Sequence, residues 1–221
     1  MDFERARFNM VEQQIRPWDV LDQDVLDLLF VVRREDFVPR AWRSLAFSDT
    51  EIPLTIDGRA TGEAMLEPKV EARLLQALAV RKHKHVLEVG AGSGYMAALL
   101  AHRARHVVSY EILPELAKFA RENLDRAGVR NAIVETGNGA EPAGSGRFDV
   151  IALSGAVSFV PDALLQRLAV GGRLAAIVGD QRPMEAQLIT RTTENGFSAV
   201  NLFETSAKPL SGFPRRDRFT F

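Results

Sequence analysis

Three glycines follow a predicted strand at a place where a ligand can approach the backbone. The segment Val86 to Tyr95 is an apolar run that passes into glycines at positions 90, 92 and 94. Such glycines let the chain turn sharply and come close to a ligand that a Cβ would push away. Taken alone, this G-x-G-x-G pattern is weak evidence, because plain strand-to-helix connections also carry glycines.

A carboxylate at the end of the next predicted strand strengthens the pattern. Glu111 follows the apolar run Val107 to Tyr110, where its side chain can accept hydrogen bonds from both hydroxyls of an adenosine ribose. A single acid there is otherwise often only solvated. NAD is the alternative nucleoside ligand, but its pyrophosphate fingerprint is G-x-G-x-x-G, which this loop does not follow. The shorter loop suits a ligand that lays a methionine part over it.

Strands and helices alternate around this loop. Predicted strands are 85–89, 107–110, 132–135, 148–153 and 173–178, and predicted helices are 95–102, 115–127 and 162–169. This alternation indicates an α/β fold with a mostly parallel, Rossmann-like sheet. Asn195-Gly196 then joins two apolar runs, which predicts an antiparallel hairpin at one sheet edge. A parallel core closed by such a hairpin is typical of class I methyltransferases.

The first 80 residues have a different character. Asp2 precedes a helical pattern that Pro17 ends, and a second helix is predicted over 22–33. Pro39 to Glu67 carries no sustained periodicity, and long irregular segments in compact domains are usually functional. We expect residues 47–68 to act as a lid over the ligand. One domain is predicted, with residues 1–80 as helical extension and substrate side, and 81–221 as the core.

Composition excludes several classes of function. Lys and Arg number 28 against 29 Asp and Glu, so no broad basic field exists to attract nucleic acid. Cysteine is absent, and His102 and His106 lack further ligands, so no metal site is expected. The N-terminal residues are rich in charge and no apolar run reaches membrane-spanning length, so we expect a cytoplasmic protein without membrane contact. The sequence gives no indication of the oligomeric state.

Over nearly its whole length the chain resembles the protein-L-isoaspartate O-methyltransferase family. The resemblance depends on Arg34-Glu35-Asp36-Phe37-Val38-Pro39, Val86 to Leu100, Val108 to Glu111, Glu122-Asn123-Leu124, Gly137-Asn138-Gly139, Leu168 to Leu174 and Lys208-Pro209-Leu210. It implies S-adenosyl-L-methionine as cofactor and isoaspartate-bearing proteins or peptides as substrates. It further implies that the cofactor is held by Glu88, Gly90, Ala91, Gly92, Ser93, Gly94 and Glu111, with Asn138 and Gly139 at its adenine.

The chain departs from the family at the step whose serine is taken to be catalytic. The family's Ser-x-Pro appears here as Leu66-Glu67-Pro68, and its Tyr-x-Asp appears as Phe47-Ser48-Asp49. We therefore take Thr61, Asp49 and Lys69 as the catalytic candidates, with Ser48 as another possible hydroxyl. Lys69 would pair with the substrate carboxylate, although a lysine at a helix start is more often only solvated. The family also usually has Asp at the position of Asn138, so the adenine contact is expected in altered form.

Three hypotheses remain open at this point. The first is methylation of L-isoaspartyl carboxylates in damaged proteins, which is a repair reaction. The second is a methyltransferase of the same fold that acts on another acceptor, such as a small-molecule carboxylate or hydroxyl. The third is an interaction protein that binds the cofactor but does not turn over. Assays on isoaspartyl and normal aspartyl peptides separate them.

Overall fold

The N-terminal helices begin at the predicted caps. In the computed structural model, which describes residues 2–216, the Asp2 carboxylate accepts a hydrogen bond from the Arg5 amide at 3.1 Å. Helix α1 (Phe3–Asn9) continues into a π-helical turn (Met10–Ile15) and a 3₁₀ turn (Arg16–Trp18). Asp22 caps α2 (Gln23–Val31) in the same way, and 3₁₀ turns follow at Arg34–Asp36 and Arg40–Leu45. These side chains satisfy amides that would otherwise lack a partner.

The segment predicted to be irregular contains a β-hairpin. Strands β1 (Ile52–Ile56) and β2 (Arg59–Met65) pair antiparallel. Asp57 and Gly58 join them with φ of 49° and 78°. Two successive positive φ angles define the tight turn that Asp-Gly favours between strands. The expectation of irregular structure up to Glu67 was therefore wrong over this stretch.

A seven-stranded sheet forms the centre of the molecule. Its strands are β3 (His85–Val89), β4 (His106–Glu111), β5 (Ala132–Thr136), β6 (Phe148–Val157), β7 (Leu168–Val178), β8 (Met184–Arg191) and β9 (Phe197–Thr205). Their order is β5-β4-β3-β6-β7-β8-β9. The first five are parallel, and β8 and β9 are antiparallel additions at one edge. The structure confirms the predicted α/β class, including the C-terminal hairpin.

Helices α3 (Pro68–Leu78), α4 (Tyr95–Arg103), α5 (Pro114–Arg126) and α6 (Asp162–Leu165) complete the fold. Around β6 and β7 the predicted boundaries were wrong by about four residues. Strand β6 continues past Leu153 to Val157, and the chain from Leu168 already belongs to β7 and not to the preceding helix. The strand order reverses between β3 and β6, which is where open α/β sheets bind ligands at their carboxyl edge.

The N-terminal helices and the sheet share one apolar core. Met10, Leu26 and Leu75 belong to the same buried cluster as Leu99 of α4 and Val150 of β6. Residues from both sides of position 80 therefore pack together, while the single-domain assignment itself stays a prediction. Among residues 2–216, no helix combines the length and apolarity needed to cross a membrane.

Candidate cofactor and active site

The glycine loop forms the sharp turn that the sequence predicted. Gly90, Gly92 and Gly94 all have positive φ, at 92°, 52° and 83°. The amides of Gly90 and Ala91 donate to the carbonyl of Tyr110 at 2.8 and 3.1 Å, which ties the loop to the end of β4. Because L side chains rarely adopt such φ angles, the loop conformation depends on glycine.

Glu111 lies beside this loop and is almost fully buried, at 5% exposure. One carboxylate oxygen accepts from the Gly92 amide at 2.8 Å and the other from the Leu113 amide at 3.0 Å. The two amides fix the carboxylate at the end of β4 and leave a free lone pair on each oxygen. Glu111 also borders the cleft above the loop. This arrangement can accept two further hydrogen bonds from a pair of vicinal hydroxyls.

Glu88 lies inside β3 directly below the loop and is inaccessible to solvent. The hydroxyls of Ser109 and Ser154 donate to its two oxygens at 2.5 and 3.0 Å. Burial raises the pKa of Glu88 to about 7, against the opposing effect of the two serine hydrogen bonds. Glu88 borders a small cavity that it shares with Ala91, Ser93 and the glycines.

The turn after β5 closes the third side of the cleft. The Asn138 amide nitrogen donates to the Gly212 carbonyl at 3.3 Å, and its oxygen accepts from the Ala140 amide at 3.0 Å. Gly139 packs so closely on β3 that a Cβ there would overlap Val89. Asn138 thus links the turn to the C-terminal segment, while Gly139 borders the cleft.

The cleft has two opposing walls. We call the glycine loop (90–94), Glu111 and the turn 137–139 the floor. We call the β1–β2 hairpin (52–65) and the C-terminal segment 206–212 the roof. The cleft between them is lined by Leu54, Glu63, Ala64, Val89, Gly90, Gly92, Tyr110, Glu111, Ile112, Gly137, Gly139, Ser154, Leu210 and Ser211. The floor residues, which the sequence predicts to form one site, lie together around this cleft.

Two leucines of the roof lie on the glycine loop. A Cβ added to Gly92 would lie 3.2 Å from Leu54 Cδ1, and one added to Gly90 would lie 2.8 Å from Leu210 Cδ2. The cleft is correspondingly narrow. A nucleoside with an amino-acid extension therefore fits over the loop only if these two side chains shift, either by rotation or together with the roof.

The two parts of the roof are attached to each other and to the sheet. The Lys208 ammonium donates to the Gly62 carbonyl of the hairpin. The Ala156 amide of β6 donates to the Lys208 carbonyl, and the Leu210 amide donates back to the Ala156 carbonyl, both at 2.8 Å. The hairpin, the C-terminal segment and β6 are thereby linked by hydrogen bonds.

The three catalytic candidates lie away from this cleft. The Thr61 hydroxyl donates to the Leu54 carbonyl at 2.8 Å, within the hairpin, and borders an outer groove beside α5. Lys69 pairs with Asp49 at 2.7 Å and stacks on Trp18, with its ammonium 4.6 Å from the ring centroid. None of the three borders the cleft, so their catalytic roles stay predictions for which these contacts offer no support.

The Arg-Glu block that carried the resemblance has a structural role. Arg34 is fully buried, pairs with Glu71 of α3, and donates to the Leu66 carbonyl at 2.7 Å. The Leu66 side chain is buried in the apolar core at 5% exposure. Arg34 therefore fixes the backbone at the position of the missing serine, where the roof joins α3.

Sequence reasoning missed several residues of the roof. Leu54, Glu63 and Ser211 border the cleft but were not among the predicted site residues. Asp57-Gly58 between two runs of strand-forming residues would have predicted the hairpin and its position. The position of Ser211 at the cleft depends on tertiary contacts and has no comparable local signal. Among residues 2–216, no group of three His, Asp or Glu side chains could hold a metal ion.

The strand order, the glycine loop and the carboxylate after β4 together define a nucleoside-binding α/β fold of the class I methyltransferase type. The family model of protein-L-isoaspartate (D-aspartate) O-methyltransferase matches residues 5–211. A protein-L-isoaspartate O-methyltransferase of Methanoculleus marisnigri is 40% identical over 83% of this chain and 80% of its own length. One from Marinobacter nauticus is 36% identical over 96% and 95%. The chain belongs to the protein-L-isoaspartate O-methyltransferase family.

Solved structures show the same fold. A protein-L-isoaspartate O-methyltransferase superimposes with a TM-score of 0.80 at 23% identity, covering 93% of this chain and 66% of that one. A Plasmodium falciparum protein of the same description, in complex with S-adenosyl-L-homocysteine, gives 0.74 at 21% identity, with 92% and 97% covered. At sequence identities of 23% and 21%, these superpositions show a shared fold.

Proposed function

We propose that this protein transfers a methyl group from S-adenosyl-L-methionine to the carboxylate of L-isoaspartyl residues in proteins and peptides. Family membership over residues 5–211 supports the reaction class. The observation that carries the proposal is Glu111, held by two backbone amides beside the glycine loop with its remaining lone pairs available. We also propose that the protein acts in the cytoplasm on damaged proteins.

The residues of the floor fit the cofactor. The glycine loop allows a close approach of the ligand, Glu111 would hold the ribose hydroxyls, and Gly139 borders the side where the adenine would lie. Glu88, below the loop, would face the amino-acid end of the ligand from the adjoining cavity. S-adenosyl-L-methionine, when bound, supplies an electrophilic methyl group on a positively charged sulfur.

The protein's part in the reaction is orientation and exclusion of water. A carboxyl acceptor with a pKa of about 4 is already ionised at neutral pH, so no strong general base is required. Correct placement of two reactants can supply roughly 7 to 11 kcal/mol of the barrier reduction. Leu54 and Leu210 border the cleft with apolar surface and, once shifted to admit the ligand, would exclude water from the place where the reactants meet. This account does not depend on a serine at position 66.

The buried position of Leu66 leads to a prediction about that serine. Leu66→Ser should destabilise the protein by about 2 to 4 kcal/mol, because it removes a core side chain. It should raise the rate on an isoaspartyl peptide by at most about tenfold, or about 1.4 kcal/mol. Steady-state rates at a temperature where both proteins are folded check this. An inactive wild type that becomes fully active with this substitution would show that the hydroxyl is indispensable.

The proposal is tested with a tritiated methyl donor. We expect label to transfer to a peptide with one isoaspartyl residue and not to its twin with a normal aspartyl residue. If the purified protein transferred label only to other acceptors, the proposed substrate would be wrong and one of those acceptors would take its place. Binding of S-adenosyl-L-homocysteine without transfer to any acceptor would favour an interaction protein.

A further inference from the structure

Three carboxylates surround the proposed cofactor, and they differ in how the protein holds them. Glu111 accepts hydrogen bonds from two backbone amides, and Glu88 accepts hydrogen bonds from two serine hydroxyls. Glu63, on β2 of the roof, borders the same cleft as Glu111. Across residues 2–216, no donor hydrogen-bonds to the Glu63 carboxylate, and only the backbone amide of Glu63 has a side-chain partner, the Thr61 hydroxyl at 3.2 Å. Its acceptor capacity is available to a ligand.

The charges around Glu63 influence its carboxylate without forming an ion pair with it in the described residues. Lys208 is the nearby cation, but its ammonium donates to the carbonyl of the adjacent Gly62. Partial burial raises the pKa of Glu63, the charge of Lys208 opposes this, and the charge of Glu111 adds to it. A half-buried carboxylate near a second carboxylate is stabilised by a positively charged ligand between them.

The positions of the three carboxylates differ along the cleft. Glu111 lies at the end of β4, where the ribose would be held, and Glu88 lies below the loop in the adjoining cavity. Glu63 borders the cleft from the roof, and its neighbour Ala64 lines both the cleft and the adjoining cavity, as Gly90 and Gly92 do, so Glu63 lies near the place where the two spaces meet. The group of the cofactor that lies between ribose and amino acid is the sulfonium.

We infer that Glu63 determines the preference of this protein for the positively charged S-adenosyl-L-methionine over its neutral product S-adenosyl-L-homocysteine. The inference rests on the proposed function, because it takes the cofactor site as given. The two ligands share the adenine, ribose, carboxylate and ammonium, and they differ at the sulfur, which is a cation in one and a neutral thioether in the other. A carboxylate that faces the sulfur strengthens binding of the first and leaves binding of the second nearly unchanged, so it favours replacement of the product by a new donor molecule.

The test is a comparison of dissociation constants by calorimetry. Glu63→Gln keeps the shape of the side chain and removes its charge, so we expect binding of S-adenosyl-L-methionine to weaken about fivefold. Binding of S-adenosyl-L-homocysteine should stay within twofold. Glu63→Asp, which keeps the charge, should retain part of the preference. The matched control is Glu51→Gln, which removes a half-buried carboxylate that also lies near Lys208 but does not border the cleft.

Three outcomes would overturn the inference. Equal weakening of both ligands would place Glu63 at a group that they share, such as the ammonium or a ribose hydroxyl. Unchanged affinities would show that Glu63 has no contact with the cofactor, and the same loss in Glu51→Gln would indicate a general electrostatic effect. A wild type that binds neither ligand would instead contradict the proposed function, so the two failures are distinguishable.

Discussion

The floor and the roof of the cleft differ in how far apart in the sequence their contacting residues lie. The floor consists of strand ends in a single parallel sheet, and each residue follows its strand by a few positions, as Gly90 follows β3 and Glu111 ends β4. The roof joins a hairpin at residues 52–65 to a segment about 150 residues later, through Lys208 and Gly62. Local pattern is therefore enough to find the floor, while the roof depends on long-range contacts.

The largest effect is expected at the base of the roof. Arg34→Met should lower the free energy of unfolding by about 3 to 5 kcal/mol, because it leaves Glu71 buried without its partner. Chemical denaturation measures this. The double variant Arg34→Met with Glu71→Met should regain most of the loss, since it removes both charges. A single-variant loss below about 1 kcal/mol would show that the buried pair does not hold the roof to α3.

The floor has a pH dependence of its own. Burial raises the pKa of Glu88 to about 7, above its unfolded value near 4.5. Its contribution to stability is therefore complete below about pH 4.5 and is lost as the pH rises through about 7. The total loss is about 3 kcal/mol. Glu88→Gln, which carries no charge, should show a flatter dependence in denaturation curves between pH 5 and 8. Parallel curves for both proteins would contradict a protonated Glu88.

Cofactor affinity should depend most strongly on the floor. Glu111→Ala removes two charge-assisted hydrogen bonds to the ribose, so binding of S-adenosyl-L-homocysteine should weaken at least about 100-fold. Glu115→Ala, in the first turn of α5 and in the outer groove, is the matched control and should bind within twofold of wild type. Unchanged affinity in Glu111→Ala would mean that the ribose lies elsewhere.

The smallest effect is expected where the two parts of the roof meet. Lys208→Met keeps the apolar stem but loses the hydrogen bond to the Gly62 carbonyl. We expect S-adenosyl-L-homocysteine to dissociate about fivefold faster, which corresponds to about 1 kcal/mol. Stopped-flow fluorescence with the exposed Lys82→Met as control measures this. If dissociation rates are equal in all three proteins, the link between hairpin and C-terminal segment has no part in retaining the ligand.

The contrast between local and long-range contacts also explains which parts of the fold and of the site could be predicted from the sequence. The period of the apolar residues gave β3 without error and placed α4 and α5 within a residue or two, because their signals lie inside each element. Asp57-Gly58 carried an equally local signal that the sequence analysis overlooked. The ion pair between Lys69 and Asp49 occupies two of the three catalytic candidates. Because these residues are 20 positions apart, the local sequence around either one does not predict the pair.

Hydrogen exchange with and without S-adenosyl-L-homocysteine is the most direct test of a ligand held between floor and roof. We expect the ligand to slow exchange in peptides that cover the loop 90–94 and, to a similar extent, in those that cover the hairpin 52–65 and the segment 206–212. Protection of the roof would show that it closes over the bound ligand. Protection confined to the floor, with unchanged exchange in both parts of the roof, would contradict this arrangement.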